Sequence, residues 1–524
     1  MAYHITYLVV QKPWNGEAGT FLKSFLPEAH EEQTLTVANY THGDTVRRFY
    51  SPMSLCDVPY AGDTFSQIAS LIAGAGSVPS LKYYVADTSG NCLYTNGDHT
   101  IGAALSWTSV KADIDANDAI VEKTVYTVTT TEDGVVGSFR AALEAEQAGV
   151  KRIVFDIDTP GYFDVDTETY DSFHRVGGCW IEGGMGSFPV IFRKLNPASS
   201  GAIFEFFDDD PFYMEQVSIA PGCNVADTGE SIQFYAGAGN ITLAYLTLRH
   251  SNSNQMGFYV GEDGDPIENV YMHHIFVRDP IYAGDGTGCN MTGWYGGSEG
   301  EPDVPEANRK YDFRKIRNVV FDHWLWANPS HRDPLISCAD PAHPELGGVI
   351  VVNTLVYQPG WFGAGVGLEG LADFRSCLFL LPDNATPINA CVQVQRNIPP
   401  TQWVGAPSIY LNNCKAVRLT TGQTAWNWDI ARHADYTNYY VNGSIVMSSV
   451  PDALKRATPL DPPFAFDEET DLDALYADLV TNRNVGQYLP YRVQSDEDVF
   501  GIIEAEEVIP HLTNASQIEW DVLT

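Results

Sequence analysis

Between His273 and Pro334 the chain gathers residues able to do chemistry: His273-His274, Asp322-His323 and Arg332-Asp333-Pro334. Imidazoles beside a carboxylate can ligate a metal or carry protons, since histidine titrates near neutral pH without special surroundings. The same histidines can equally serve as hydrogen-bonding groups at a repeated backbone corner. Asp322 alone does not make a calcium cage, which takes roughly six to eight oxygens. Arginine gives up its proton only in unusual surroundings, so Arg332 is either a specially placed base or a cation paired with Asp333 or Asp322. Trp294 and Tyr295 sit in a Gly-rich stretch and Trp361 follows Pro359-Gly360, and exposed aromatic faces of this kind stack on sugars. Arg309, Lys310, Arg314, Lys315 and Arg317 put five of thirty basic residues within nine positions. They form either a handle for an anionic glycan or acidic subunit, or surface charge beside a strand.

Something must hold these groups, and a repeat supplies it. Six nine-residue phrases begin at Asn240, Asn269, Asn318, Gly348, Leu371 and Ser408, with starts 29, 49, 30, 23 and 37 residues apart. Position four is Leu243, Met272, Phe321, Val351, Phe374 and Leu411; position seven is Leu246, Ile275, Trp324, Thr354, Cys377 and Cys414. Position six is Tyr245, His274, His323, Asn353, Ser376 and Asn413, all capable of hydrogen bonding. Strand-like units at such spacing predict a parallel β-solenoid. The alternation breaks at positions five and six, which predicts two strands meeting at a corner with position six as a polar ladder. Trp324, Trp326, Cys377 and Cys414 are then core residues.

Composition bounds the rest. The 524 residues carry 67 acidic against 30 basic side chains, a formal charge of −37, which disfavours sequence-independent nucleic-acid binding and docking on anionic membrane. Hydrophobic content of 44% supports a large core. No apolar stretch reaches the roughly 18–20 residues that span a bilayer, and the first residues lack the features of a secretory signal. Nine cysteines without a CxxC pair support neither a disulfide framework nor a zinc site built on thiolates. Asp208–Asp210 and Glu262–Asp265 read as solvated acidic turns. Three regions emerge: 1–120, a non-repeating α+β or β-rich domain; 121–450, the solenoid; and 451–524, an acidic extension that either packs back along the solenoid or extends from it. Gly137-Ser138-Phe139 opens a short amphipathic helix with Ser138 as N-cap, suited to closing the end of a solenoid.

Several ordered motifs resemble the pectate-lyase-like β-helix family: Val128-Thr-Thr-Thr-Glu-Asp-Gly through Arg152-Ile-Val-Phe-Asp156, Ile181-Glu-Gly-Gly-Met-Gly186, Phe321-Asp-His-Trp, and His331-Arg-Asp-Pro334. The resemblance spans about 125–450 and implies an all-β, right-handed single-stranded parallel β-helix. It further implies β-elimination of polygalacturonate, with an arginine base and carboxylate-bound calcium. Arg332 matches the base position, and Asp322 and His323 stand beside it as catalytic candidates. Ser337 replaces a later arginine. The positions matching calcium carboxylates fall on His273-His274 and Asn254-Gln255-Met256, so no metal ligand is assigned, although calcium stays open as a cofactor. Trp294, Tyr295, Arg309, Lys310 and Trp361 are the carbohydrate-binding candidates.

Three functions fit these features. The first is a virion tail-spike-like or receptor-binding protein, a homotrimer held to other virion proteins by residues 1–120 and recognising host surface polysaccharide. The second is a lyase or depolymerase acting on an acidic glycan. The third is a non-catalytic structural virion protein. The expected location is the virion or the extracellular space.

Overall fold

A computed structural model of the protein describes residues 125–523 apart from intervening stretches such as 294–314, 338–346 and 397–406, and the strands alone within 1–124. Those early strands form a four-stranded antiparallel sheet, with Tyr3–Val9 between Leu22–Phe25 and Leu81–Asp87, and a separate hairpin.

From residue 151 onward the chain winds as a parallel β-helix with three strands per coil. One coil is Gly239–Ala244, Thr247–Arg249 and Asn254–Val260; the next is Ile267–His273, Phe276–Arg278 and Thr287–Gly293. First strands stack on first strands, second on second and third on third, all in parallel. The first and second strands share one sheet folded at a corner, and the third strands form another. Among the described residues no helix is long and apolar enough to cross a membrane.

All six phrases stack position for position. Leu243 pairs with Met272, Met272 with Phe321, Phe321 with Val351, Val351 with Phe374, and Phe374 with Leu411. The corner falls at position six, where Tyr245, His274, His323, Asn353, Ser376 and Asn413 all have φ between 48° and 55°. That left-handed backbone suits asparagine and histidine better than most residues. It turns the chain in two residues and leaves a polar side chain at every level. Flanking it, Asn318 Nδ2 donates to Asn269 Oδ1 and Asn269 Nδ2 to Asn240 Oδ1, each at 3.3 Å, which is a second ladder where the first strand begins.

Inward positions fill the coil with aromatic and branched side chains. Trp324 and Trp326 are fully buried and stacked at 4.7 Å. Cys377 and Cys414 are buried free thiols whose Sγ atoms donate to Val351 O and Phe374 O. Helix α1, Phe139–Leu143, lies across the N-terminal end of this core. Ser138 Oγ accepts from Ala141 N at 3.1 Å, and Phe139 packs its ring 4.6 Å from Phe192 and 4.9 Å from Phe173. At its other end, buried Lys151 Nζ donates to Leu143 O and to Ala145 O, capping the helix carbonyls.

Outward positions of the second strands are also apolar: Phe276, Leu325, Ala327, Leu355, Tyr357, Leu378 and Leu380. The C-terminal segment covers them. Helices α2 (Leu472–Tyr476) and α3 (Gln494–Glu504) contribute Leu472, Leu475, Phe500 and Ile503, and the wider turn Ala477–Thr481 adds Leu479, to one cluster with those strands. Ion pairs lock the seam: Arg278 Nε donates to Asp496 Oδ1 at 2.5 Å and Arg249 Nη1 to Asp521 Oδ2 at 3.0 Å, all four side chains being nearly inaccessible to solvent.

Candidate functional site

The third-strand sheet carries a second repeat. Phe204-Glu205-Phe206-Phe207, Ile232-Gln233-Phe234-Tyr235 and Met256-Gly257-Phe258-Tyr259 stack in register, Glu205 on Gln233 on Gly257 and Phe206 on Phe234 on Phe258. The first and third residues of each phrase point into the core. Period-two alternation puts the others outward. Phe207 and Tyr235 stack face to face at 4.6 Å and 3°, and Tyr259 follows 6.1 Å from Tyr235. Phe207 is 47% exposed. The result is a short row of aromatic rings, one per coil, along the outside of the helix.

The row runs toward a charged cluster. Glu230, just before the strand Ile232–Tyr235, accepts from Asn254 Nδ2 at 2.8 Å and from Tyr259 Oη at 2.5 Å. Burial pushes its carboxyl up to about 7, against the opposing hydrogen bonds of Asn254, Tyr259 and Gln233 and the charge of Arg332. Gly257 makes room for this arrangement, because a Cβ there would lie 2.3 Å from the Tyr259 ring and 2.4 Å from Glu230 Oε2. Arg332 stands just before the third strand Leu335–Ser337, with a left-handed φ of 68°, and reaches back so that Nη1 lies 3.5 Å from Asn254 Oδ1.

Arg332 pairs with neither Asp333 nor Asp322; among the described residues its Nε is buried without a hydrogen bond. Asp333 is buried, neither carboxyl oxygen is hydrogen-bonded, and burial holds its carboxyl well above the usual range. The residues near Arg332 therefore do not fit the calcium implied by the family resemblance. The described groups that approach Arg332 are the carboxyl of Glu230 and the amide oxygen of Asn254, and calcium takes roughly six to eight oxygens.

Asp322 and His323 belong to a different part of the molecule. They lie at the corner between first and second strands, whereas Arg332 lies between second and third. His323 Nδ1 is 2.7 Å from Asp322 Oδ1; Tyr271 Oη and Asn353 Nδ2 donate to the same carboxylate at 2.7 and 2.9 Å. Burial pushes Asp322 up, but His323, Tyr271 and Asn353 outweigh it and hold the carboxyl below its ordinary value. The His274 and His323 rings stack in parallel at 4.6 Å, with Tyr245 stacked on His274. The three catalytic candidates thus do not converge on one site. The carbohydrate-binding candidates Trp294, Tyr295, Arg309, Lys310 and Trp361 lie outside the described residues.

Glu230, Tyr235 and Tyr259 are missing from the candidates read in the sequence. The available signal was the phrase ending in Phe207, Tyr235 and Tyr259, at spacings of 28 and 24 residues. Glu230 carries no local motif; only the stacking of coils brings it to Asn254, 24 residues on.

No family model matches this sequence, and no curated protein does. Among solved structures, the chain is similar to a pectate lyase from Bacillus sp. N165 in complex with trigalacturonate, at 12% identity and TM-score 0.35 over 70% of this chain and 94% of that one. It is similar to a pectate lyase from Paenibacillus sp. 0602, at 9% identity and TM-score 0.39 over 70% and 91%. It is also similar to jun a 1, the major allergen from cedar pollen, at 12% identity and TM-score 0.34 over 70% and 89%. The fold here is a parallel β-helix, as its own strand pairings show.

Proposed function

We propose that this protein recognises a surface polysaccharide along the outer face of its third-strand sheet. Its setting is that of a virion tail-spike-like or receptor-binding protein, trimeric and attached through residues 1–120. The row of Phe207, Tyr235 and Tyr259 carries this reading. A linear glycan laid along the helix axis meets one ring per coil, and the apolar C–H faces of sugars stack on such rings. Arg332 beyond the row offers a cation to a uronate or other acidic sugar.

Binding is tested on a glycan array with the full chain. A hit weakened about 5- to 150-fold by Phe207→Ala with Tyr235→Ala is expected, since two lost stacking contacts at about 0.5–1.5 kcal/mol each give that range. Absence of any hit, or a hit indifferent to both substitutions, overturns the reading. A native mass of three chains is expected; a monomer removes the tail-spike setting while leaving glycan binding open.

The upward shift of Glu230 to about 7, beside Arg332, favours a second reading as a depolymerase. A carboxyl near neutrality can take or return a proton at working pH. In a β-elimination the base takes the C5 proton, the C4–O bond breaks, the leaving oxygen is protonated, and a C4–C5 double bond remains. Release of near-ultraviolet-absorbing unsaturated uronides, lost in both Glu230→Gln and Arg332→Ala, is the expected sign. Product formation that survives both substitutions excludes this site.

A further inference from the structure

We propose that His274, His323 and Asp478 form a binding site for one divalent transition-metal ion, of the zinc class, which clamps the C-terminal segment onto the corner ladder. One ligand atom from each of the three residues lies within 4.8 Å of the other two, and all three residues are half-buried. The site stands on a different corner from the aromatic row and shares no residue with it. It does not depend on the glycan-binding reading.

The donor set selects the ion. Two imidazoles and one carboxylate suit zinc or its neighbours, whereas calcium and magnesium favour all-oxygen shells. The three protein ligands leave a fourth position for water. A Zn–N bond of about 2.0 Å needs donor atoms within roughly 4 Å of one another. Imidazole lone pairs lie in the ring plane, so the two rings, parallel at 4.6 Å, must tilt out of their stack before both can bind one ion.

The surroundings are those of a metal's outer shell. His323 Nδ1 is engaged by Asp322 at 2.7 Å, and Tyr271 and Asn353 hold that carboxylate in turn. This carboxylate–imidazole contact fixes the ring and makes Nε2 the ligating nitrogen. His274 Nδ1 lies 3.0 Å from His273 Nδ1, so this ring too is held through its Nδ1 side. Asn484 Nδ2 donates to both oxygens of Asp478 at 3.2 Å, so the third ligand is oriented too. Other levels of the same ladder carry tyrosine, asparagine or serine at this position. Histidine occupies it on two successive coils, at the levels that face Asp478.

The ion would join residues more than 150 positions apart in sequence, His323 and Asp478. Its binding free energy would then add to the attachment of the C-terminal segment.

The test uses the full chain stripped with a chelator and titrated with zinc, then with cobalt(II). One zinc per chain by calorimetry, a raised thermal midpoint, and visible cobalt bands of a low-coordinate nitrogen–oxygen site are expected. His274→Asn and His323→Asn put into the ladder the residue already found at Asn353 and Asn413, so both variants keep the fold, and both should lose the cobalt bands and the zinc-dependent shift. Asp478→Asn should do the same, while His511→Gln, which removes an exposed histidine, should change neither. A wild-type chain without cobalt bands, or bands that persist in all three ligand variants, overturns the proposal.

Discussion

At the scale of single residues, Glu230 is the most informative side chain. Its carboxyl sits near 7 in the folded protein against 4.5 for an ordinary glutamate, because burial outweighs its hydrogen bonds. A raised carboxyl favours folding in its protonated form. That stabilisation is full below about pH 4.5 and is lost as the pH rises through 7. Thermal midpoints should therefore decline across this window by an amount attributable to Glu230, and Glu230→Gln should flatten that part of the profile. A variant with the unchanged slope would show that Glu230 is not the titrating group. Gly257→Ala is expected to destabilise by about 1–3 kcal/mol through overpacking, since its Cβ collides with Tyr259 and Glu230. Chemical denaturation measures the loss, and a glycan ligand, once identified, should bind the variant more weakly. Sequence spacing could not foresee Glu230, because its partners come from the next coil and from a tyrosine ring folded back over a glycine.

At the scale of elements, the corner and the cap were open to sequence reading for a physical reason. Inward side chains at positions four and seven repeat because every coil presents the same slot to the core, and the left-handed corner restricts position six to residues that tolerate it. The third strand hid its repeat because the connections around it vary in length and only two inward residues recur per level. The Ser138–Leu143 cap was legible from its N-cap and apolar face. Phe139→Ala removes a ring that touches Phe155, Phe173, Phe192 and Phe204. A cost of roughly 3–5 kcal/mol is expected for emptying such a site, read as a shifted denaturant midpoint. A loss below 1 kcal/mol would mean the helix does not seal the core.

At the scale of the whole molecule, the C-terminal segment is part of the solenoid's stability. Asp496 is buried against Arg278, which lies 218 residues earlier, and Arg249 is close to both carboxylates of the seam. Asp496→Ala should cost about 3 kcal/mol, since it removes the carboxylate shared by two buried guanidiniums and leaves them with Asp279 and Asp521 alone. Limited proteolysis should then release residues from about 466 onward faster than in the parent chain; equal rates would show that the apolar cluster alone holds the segment. Sequence allows the acidic tail to pack back along the solenoid or to extend from it, but neither partner of this ion pair is foreseeable locally, because the apolar outer face that holds the tail exists only once the coils stack.

That covered face also bears on biosynthesis. The coils from 151 to 419 leave the ribosome before residues 466–523 exist. Until the last segment emerges, the nascent solenoid displays a continuous oily flank of Phe276, Leu325, Leu355, Tyr357 and Leu378. A prematurely terminated product keeps that flank bare permanently. Residues 466–523 therefore shield the flank only once they have followed the coils out of the ribosome.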